Sequence, residues 1–130
     1  MNPKGIHIRQ SNYPVGQTID IIVDILEGRG VTIYNRINQQ AEALRCGLTL
    51  GPLELILFGN PLAGVPLMKE NPISALDLPL KIISWEDPEK KYWLAYNSSD
   101  YIRERYHLPE VLTRTLDMEN LIDALLKPSG

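Results

Sequence analysis

The fold is decided by residues 80–97, LKIISWEDPEKKYWLAYN. Two sets of side chains alternate along residues 80–85 and again along residues 92–97, and this period of two is typical of β-strands. The two runs are joined by Asp87-Pro88-Glu89-Lys90, which places Asp and Pro at the first two positions of a type I turn. We therefore predict a β-hairpin from Leu80 to Asn97 with its turn at Pro88-Glu89.

Three further strands are predicted before this hairpin. Leu53–Phe58 is apolar at five of six positions, which is typical of a central strand that is covered on both faces along most of its length. It ends at the turn sequence Gly59-Asn60-Pro61. Alternating side chains predict the other two strands, at Ile6–Gln10 and at Val31–Tyr34.

Helices are predicted on either side of these strands. An amphipathic helix after Pro14 is indicated by apolar residues at spacings of three and four, namely Val15, Ile19, Ile22, Val23 and Leu26. Asn38 fits as the cap of a short helix that Gly47 closes. Two more helices are predicted, one from Ser99 or Asp100 through Tyr106 and one between Pro109 and Lys127. The last helix has an apolar face of Met118, Leu121, Ile122, Leu125 and Leu126.

The segment from Pro61 to Pro79 contains four prolines and only scattered apolar residues. Proline inside a helix removes a backbone hydrogen bond and clashes with the preceding turn. We therefore expect a compact excursion here with at most short helical turns.

This order of elements predicts an α+β fold, with an antiparallel sheet covered by helices on one face. The 130 residues fall in the size range of one domain, so residues 1–130 are expected to share one hydrophobic core.

Composition argues against several classes of partner. There are 13 Lys and Arg against 16 Asp and Glu, a net charge of −3, so the chain has no electrostatic footprint for nucleic acid or for an anionic membrane. The one cysteine, Cys46, cannot form an internal disulfide, and the polar N-terminus lacks the apolar core of a signal peptide. A cytoplasmic location is therefore expected. The apolar runs are also far shorter than the roughly 20 residues that span a bilayer.

Several motifs, in this order, resemble the domain of unknown function 302 family. They are residues 51–61 (GPLELILFGNP), 64–68 (GVPLM), 77–81 (DLPLK), 85–87 (WED) and 93–97 (WLAYN). The resemblance extends roughly from Ile6 to Leu108. It implies a curved antiparallel sheet with helices on one face, similar to the TATA-binding-protein-like class, and often a homodimer. It implies no reaction.

The chain departs from the family pattern at three places. Where the family commonly has Ile-Asp-His, this chain has Ile37-Asn38-Gln39, so the acid and the imidazole are both absent. The family's Gly-Thr-Pro is Gly64-Val65-Pro66, and its Tyr-Asn-Asp-Pro is Tyr96-Asn97-Ser98-Ser99. The binding chemistry is therefore expected to differ from the family pattern.

No motif for a metal, a cofactor or a catalytic triad is present. His7, Cys46 and His107 are far apart in the sequence and match no ligand spacing, and the glycines match no phosphate-binding loop. The aromatic residues of the hairpin are expected to pack within it rather than to stack on bases; they are Trp85, Tyr92, Trp93 and Tyr96. We expect no metal and no cofactor.

The candidate ligand-binding residues are Asn60, Asp77, Lys81, Tyr96 and Asn97, since they lie at strand ends or in loops, where sites are often built. Each also has a structural interpretation: Asn60, for example, could only close a turn. One hypothesis is a non-enzymatic module that binds a small ligand or a partner protein. The alternative is an enzyme in which Asp77 acts as general base while Lys81, Tyr96 and Asn97 orient a small polar substrate.

A homodimer is expected on two grounds. The family resemblance implies it, and the apolar, proline-rich segment from Leu62 to Leu78 is too hydrophobic to lie wholly in water.

Overall fold

The protein is described here by a computed structural model that covers residues 3–126. Its strands are β1 (Ile6–Ser11), β2 (Thr32–Asn38), β3 (Leu53–Gly59), β4 (Leu80–Glu86) and β5 (Tyr92–Asn97). Its helices are α1 (Val15–Gly28), α2 (Gln39–Arg45), α3 (Pro61–Glu70), α4 (Ser99–Tyr106), α5 (Glu110–Thr113) and α6 (Glu119–Leu126), with 3₁₀ segments at Pro72–Leu76 and Arg114–Leu116.

The five strands form one sheet in the order β1-β5-β4-β3-β2, in which every neighbouring pair is antiparallel. The predicted α+β class with an antiparallel sheet is therefore confirmed. The short helix after the Asn38 cap is also confirmed, because the Asn38 side chain accepts a hydrogen bond from the Ala41 amide.

β3 lies inside the sheet, between β4 and β2. Ile56 and Phe58 on one of its faces are buried in the core. Leu53, Leu55 and Leu57 point to the opposite face and are only half-buried. The prediction that both faces are covered is therefore wrong for this second face, because the helices that bury the core lie on the first.

The core is formed where α1 and α6 pack on the sheet. Ile19, Ile22 and Leu26 from α1 share one buried cluster with Leu121 and Ile122 from α6. The sheet contributes buried side chains from β3, β4 and β5 to the same cluster, namely Ile56, Phe58, Ile82, Leu94 and Tyr96. The apolar spacing that predicted α1 thus marks the face that meets the sheet.

The predicted hairpin is confirmed. Ile82 is paired with Tyr96, and Ser84 with Leu94. The amide of Lys90 donates to the carbonyl oxygen of Asp87 at 3.0 Å, which closes the turn around Pro88-Glu89.

The Asp87 carboxylate holds the turn together. One oxygen accepts from the amides of Glu89 and Lys91, each at 2.9 Å, and the other accepts from the Trp93 indole N–H at 2.8 Å. The bond from Trp93, with those from the two amides, lowers the pKa of Asp87 below its usual value.

This lowered pKa predicts an acid-sensitive contribution to stability. A carboxyl group whose pKa is depressed on folding stabilises the fold fully above its unfolded pKa and loses this contribution as the pH falls through its folded pKa. We expect the melting temperature of the wild type to exceed that of Asp87→Asn near pH 7 and the two to converge below about pH 4. Thermal melts across this range check it, and a difference that stays constant down to pH 2 would contradict it.

The proline-rich excursion differs from its prediction. Pro61–Glu70 forms a ten-residue helix rather than short turns. Pro61 occupies the first helical turn, where its missing N–H is not needed, and Pro66 removes a single bond inside the helix. Only the 3₁₀ segment Pro72–Leu76 matches the expected short turn.

The C-terminal segment also differs from its prediction, which was a single helix between Pro109 and Lys127. It is divided into α5, a 3₁₀ segment and α6, with Asp117 in extended conformation at the break. The hydroxyls of Thr113 and Thr115 bond to carbonyls three residues back, and the Asp117 carboxylate accepts from the Glu119 amide at 2.9 Å. These local bonds compete with a regular helix. The predicted end at Lys127 lies outside the described residues.

Candidate functional site

A pocket of about 480 Å³ opens where β3 ends. Its inner wall consists of buried core side chains, among them Leu26, Phe58, Met118 and Leu121. Helix α3 forms a second wall through Ala63, Gly64, Val65 and Met68. We call this space the β3-end pocket.

The chain builds this pocket through the turn Gly59-Asn60-Pro61. The Asn60 side-chain oxygen accepts from the Leu62 amide at 3.0 Å, so Asn60 caps α3, and Pro61 is suited to the first helical turn. The chain therefore passes directly from strand to helix. Because Gly64 has no side chain, the wall that α3 presents stays open beside Met68.

The mouth of the β3-end pocket carries the polar groups. Tyr34 is the extra residue of a β-bulge, because Ile33 pairs with Phe58 while Asn35 pairs with the adjacent Leu57. A bulge re-aims the side chain that it contains, and the ring of Tyr34 lies against Gly59 at the mouth. Arg29, Asn60, Thr115 and Asp117 are the exposed polar residues beside it.

The five predicted site residues do not all lie at this pocket. Asn60 lines it, and Asp77 directly precedes Leu78, Pro79 and Leu80, which also line it. Lys81 is exposed on β4, opposite Leu57 of β3. Tyr96 and Asn97 lie at the end of β5, opposite His7 and Ile6 of β1.

Asp77 is held by two donors from the end of α4. Its Oδ2 accepts from the Arg105 guanidinium at 2.9 Å and from the Tyr106 hydroxyl. Burial, with the Asp77 carboxylate beside it, raises the pKa of Tyr106, so this hydroxyl keeps its proton at neutral pH. The contacts therefore tie the start of β4 to α4.

We accordingly expect Asp77→Asn to lower the free energy of unfolding by about 1–2 kcal/mol, because charge-assisted hydrogen bonds are lost. Tyr106→Phe should lower the free energy of unfolding by a similar amount. The double variant should lose less than the sum of the two single losses, because each single change removes the same Tyr106–Asp77 hydrogen bond. Urea unfolding of the four proteins gives the coupling. Strict additivity would show that the two side chains do not interact in solution.

Tyr96 belongs to a separate polar cluster. Its hydroxyl donates to Glu119 Oε1 at 3.1 Å, and the same oxygen lies 3.2 Å from His7 Nε2. Arg9 pairs with Asp123 at 2.9 Å and lies 3.6 Å from Glu119. The Tyr96 ring is partly buried and Glu119 lies next to its hydroxyl, and both effects raise the pKa of that hydroxyl. The cluster joins β1 and β5 to α6, although no pattern in the sequence groups His7 with Tyr96.

Among the residues at the mouth of the pocket, the sequence singles out Asn60 but neither Arg29 nor Tyr34. Arg29 follows α1 directly, and Tyr34 reaches the mouth only because of the bulge in β2. Gly28 and Gly30 on either side of Arg29 were a signal for the end of a helix and not for a ligand. The pocket residues of α3 were hidden by the prediction that no helix of this length forms there.

Within residues 3–126 no three His, Cys, Asp or Glu side chains are close enough together to hold a metal ion. Over the same range, none of the helices combines the length and the apolar character needed to span a bilayer.

Comparison with solved structures supports the fold. The crystal structure of an uncharacterized conserved protein DUF302 from Bacillus stearothermophilus superposes with a TM-score of 0.77 and covers 95% of this chain and 97% of its own. The two sequences are 15% identical, so the match concerns the fold alone. The expected TATA-binding-protein-like class stays a prediction.

Curated relatives are similar in sequence over part of their length. Fluoride-specific ion channel FluC 1 of Brucella suis biovar 1 is 35% identical over 104 residues, which are 80% of this chain and 41% of the relative. FluC 1 of Brucella abortus biovar 1 is also 35% identical over 104 residues, 38% of its length. This chain thus spans about two fifths of these relatives.

The family comparison covers nearly the whole chain. Residues 7–127 match the family described as domain of unknown function DUF302. The resemblance inferred from the motifs of the hairpin and of β3 is thereby confirmed, and this chain belongs to the DUF302 family.

Proposed function

We propose that this domain is a binding module that takes a small, largely apolar ligand into the β3-end pocket. The observation that carries this proposal is the pocket itself, whose volume of about 480 Å³ lies within the roughly 300–1,000 Å³ common for small-molecule sites. Apolar side chains line its depth, and a few polar groups stand at its mouth, which is the usual division in such sites.

Asn60 is the polar residue best placed to orient the ligand. Its side-chain oxygen is used in capping α3, while its amide nitrogen makes no hydrogen bond with residues 3–126. This N–H₂ group can therefore donate to a ligand oxygen without weakening the helix cap.

Binding is favoured over catalysis by the contacts of Asp77. The alternative hypothesis, an enzyme, requires Asp77 to act as general base, with Lys81, Tyr96 and Asn97 around the same substrate. Asp77 is instead occupied by Arg105 and Tyr106, while Tyr96 bonds to Glu119. A general base must be within hydrogen-bond reach of the substrate's proton. The bonds from Arg105 and Tyr106 compete with a substrate for the Asp77 carboxylate.

A thermal-shift series with short- and medium-chain aliphatic alcohols tests the proposal. A ligand that binds only the folded state raises its melting temperature. We expect the alcohols to stabilise the wild type but not Ala63→Trp, in which the indole fills the pocket. Ala124→Trp is the matched control, because Ala124 is exposed on α6 and does not line the pocket. Equal stabilisation of all three proteins would refute binding in this pocket.

We further propose that the domain acts as a homodimer. In support, several large apolar side chains are exposed on α3 and the 3₁₀ segment after it: Leu62 is 86% exposed, Ile73 61% and Leu76 70%. Large apolar side chains exposed on neighbouring segments are common at interfaces between subunits. Light scattering at micromolar concentration should give twice the monomer mass of 14.7 kDa, and the monomer mass itself would refute the dimer.

A cytoplasmic location is part of the same proposal and is supported by the single cysteine, Cys46.

A further inference from the structure

We infer that the ligand of the β3-end pocket is an amphipathic anion, a carboxylate with an aliphatic tail, whose negative group is bound by Arg29. This inference rests on the proposed function, because it names the chemical class of the ligand in the same pocket. It depends on a difference between the two charged residues at the mouth: Asp117 accepts a hydrogen bond from the protein, whereas Arg29 has no ion-pair partner within residues 3–126.

Arg29 is a cation without a partner in the described part of the chain. Five other arginines, at 9, 36, 45, 103 and 105, each pair with a carboxylate. Arg114 also has no ion pair within residues 3–126, but it does not line the pocket. Arg29 forms no ion pair with any carboxylate of residues 3–126, although it lines the pocket. Its planar guanidinium presents donors that match a carboxylate geometrically.

Asp117 is the other charged residue at the mouth, and one of its carboxylate oxygens already accepts a backbone hydrogen bond. Its carboxylate accepts from the Glu119 amide at 2.9 Å, at the start of α6. Negative charge is stabilised near a helix N-terminus by the unpaired amides of the first turn. A charged ligand therefore gains more from facing Arg29 than from facing Asp117.

Uncharged hydrogen-bond donors at the mouth also favour a negatively charged group on the ligand. The Tyr34 hydroxyl can donate a hydrogen bond, and so can the Asn60 amide nitrogen. The β2 bulge places Tyr34 in this position. Donors from three separate elements thus line the same pocket, while Phe58, Leu80 and Leu121 offer an apolar wall to the ligand's tail.

Three probes with the same eight-carbon tail separate the contributions: octanoate, 1-octanol and octylammonium. Their affinities are measured by isothermal titration calorimetry at pH 7 with the wild type, Arg29→Met and Arg45→Met. Methionine keeps an unbranched apolar side chain but removes the charge. Arg45→Met is the matched control, because Arg45 is an exposed arginine on α2 outside the pocket.

We expect octanoate to bind the wild type at least about tenfold more tightly than octanol, since a charge-assisted hydrogen bond commonly contributes that much. Arg29→Met should remove this advantage and leave octanol unchanged, while Arg45→Met should bind like the wild type. Octylammonium should bind most weakly.

The outcomes distinguish the inference from the proposed function. If octanol binds and Ala63→Trp blocks it, but octanoate binds no better or Arg29→Met has no effect, the pocket is a ligand site and the anionic class is wrong. Preference for octylammonium would likewise overturn the anionic class and would assign the ligand's charge to Asp117. If none of the three probes binds, the proposed function and the inference both fail.

Discussion

Replacement of Gly5 by alanine is expected to lower the free energy of unfolding by about 2–4 kcal/mol. Gly5 has a φ of +77°, and a β-carbon there would lie 2.6 Å from Cβ of Tyr101 and closer still to its Cγ. These are atoms at the root of the tyrosine side chain, so a change of rotamer cannot relieve the clash with Cβ. Helix α4 or the start of β1 has to move.

Two other glycines separate the backbone effect from the clash. Gly30 has a φ of +76° but open space around it, so Gly30→Ala should cost only the backbone strain of about 1–2 kcal/mol. Gly28 ends α1 without a positive φ and without a neighbour in reach, so Gly28→Ala should change stability by less than about 0.5 kcal/mol or increase it slightly. Urea unfolding ranks the three.

This clash bears on the ligand pocket through the second buried cluster. The carbonyl of Gly5 accepts from the Ser98 amide at 2.8 Å, just before α4 begins. Ile102 and Tyr106 of α4 pack in one cluster with Leu67 of α3, the helix that forms a pocket wall. A displaced α4 should therefore weaken octanol binding in Gly5→Ala but not in Gly47→Ala, where φ is +75° with open space and no neighbouring residue lines the pocket. Equal stability of Gly5→Ala and Gly30→Ala would show that Tyr101 does not lie against Gly5.

Much of the fold follows from local patterns in the sequence. The hairpin could be predicted because the alternation of two runs and an Asp-Pro turn agree, and α1 because its apolar spacing marks one buried face. The sheet order β1-β5-β4-β3-β2 could not, because the pairing of β1 with β5 joins residues about ninety positions apart. Periodicity within a strand does not identify its neighbour.

The candidate site was less predictable than the fold. Asn60 was found from the turn after β3, a local signal. Arg29 and Tyr34 line the same pocket as Asn60 only through the tertiary arrangement of α1 and the β2 bulge. Asp77 pairs with Tyr106, 29 residues away, and no pattern in the sequence indicates this bond.

Phe58 and Tyr34 both line the β3-end pocket but should differ strongly in what they contribute to stability. Phe58 is 2% exposed and packs in the core with α1 and α6, whereas Tyr34 is 50% exposed. We expect Phe58→Ala to lower the free energy of unfolding by about 3–5 kcal/mol, because a buried ring is lost and a cavity remains. Tyr34→Ala should lose less than about 1 kcal/mol.

Milder substitutions at the same two positions test what each residue contributes to ligand binding. If Tyr34 donates to the ligand's oxyanion, Tyr34→Phe should weaken octanoate binding while octanol binding and stability remain close to the wild type. Phe58→Leu keeps most of the core contact, so it should remain folded and report whether the inner wall holds the aliphatic tail, through weaker binding of octanol and octanoate alike. Urea unfolding and calorimetry on the same samples check both expectations. A loss below about 1.5 kcal/mol in Phe58→Ala would mean that the inner wall is not part of the core, since large-to-small core changes of this kind cost more.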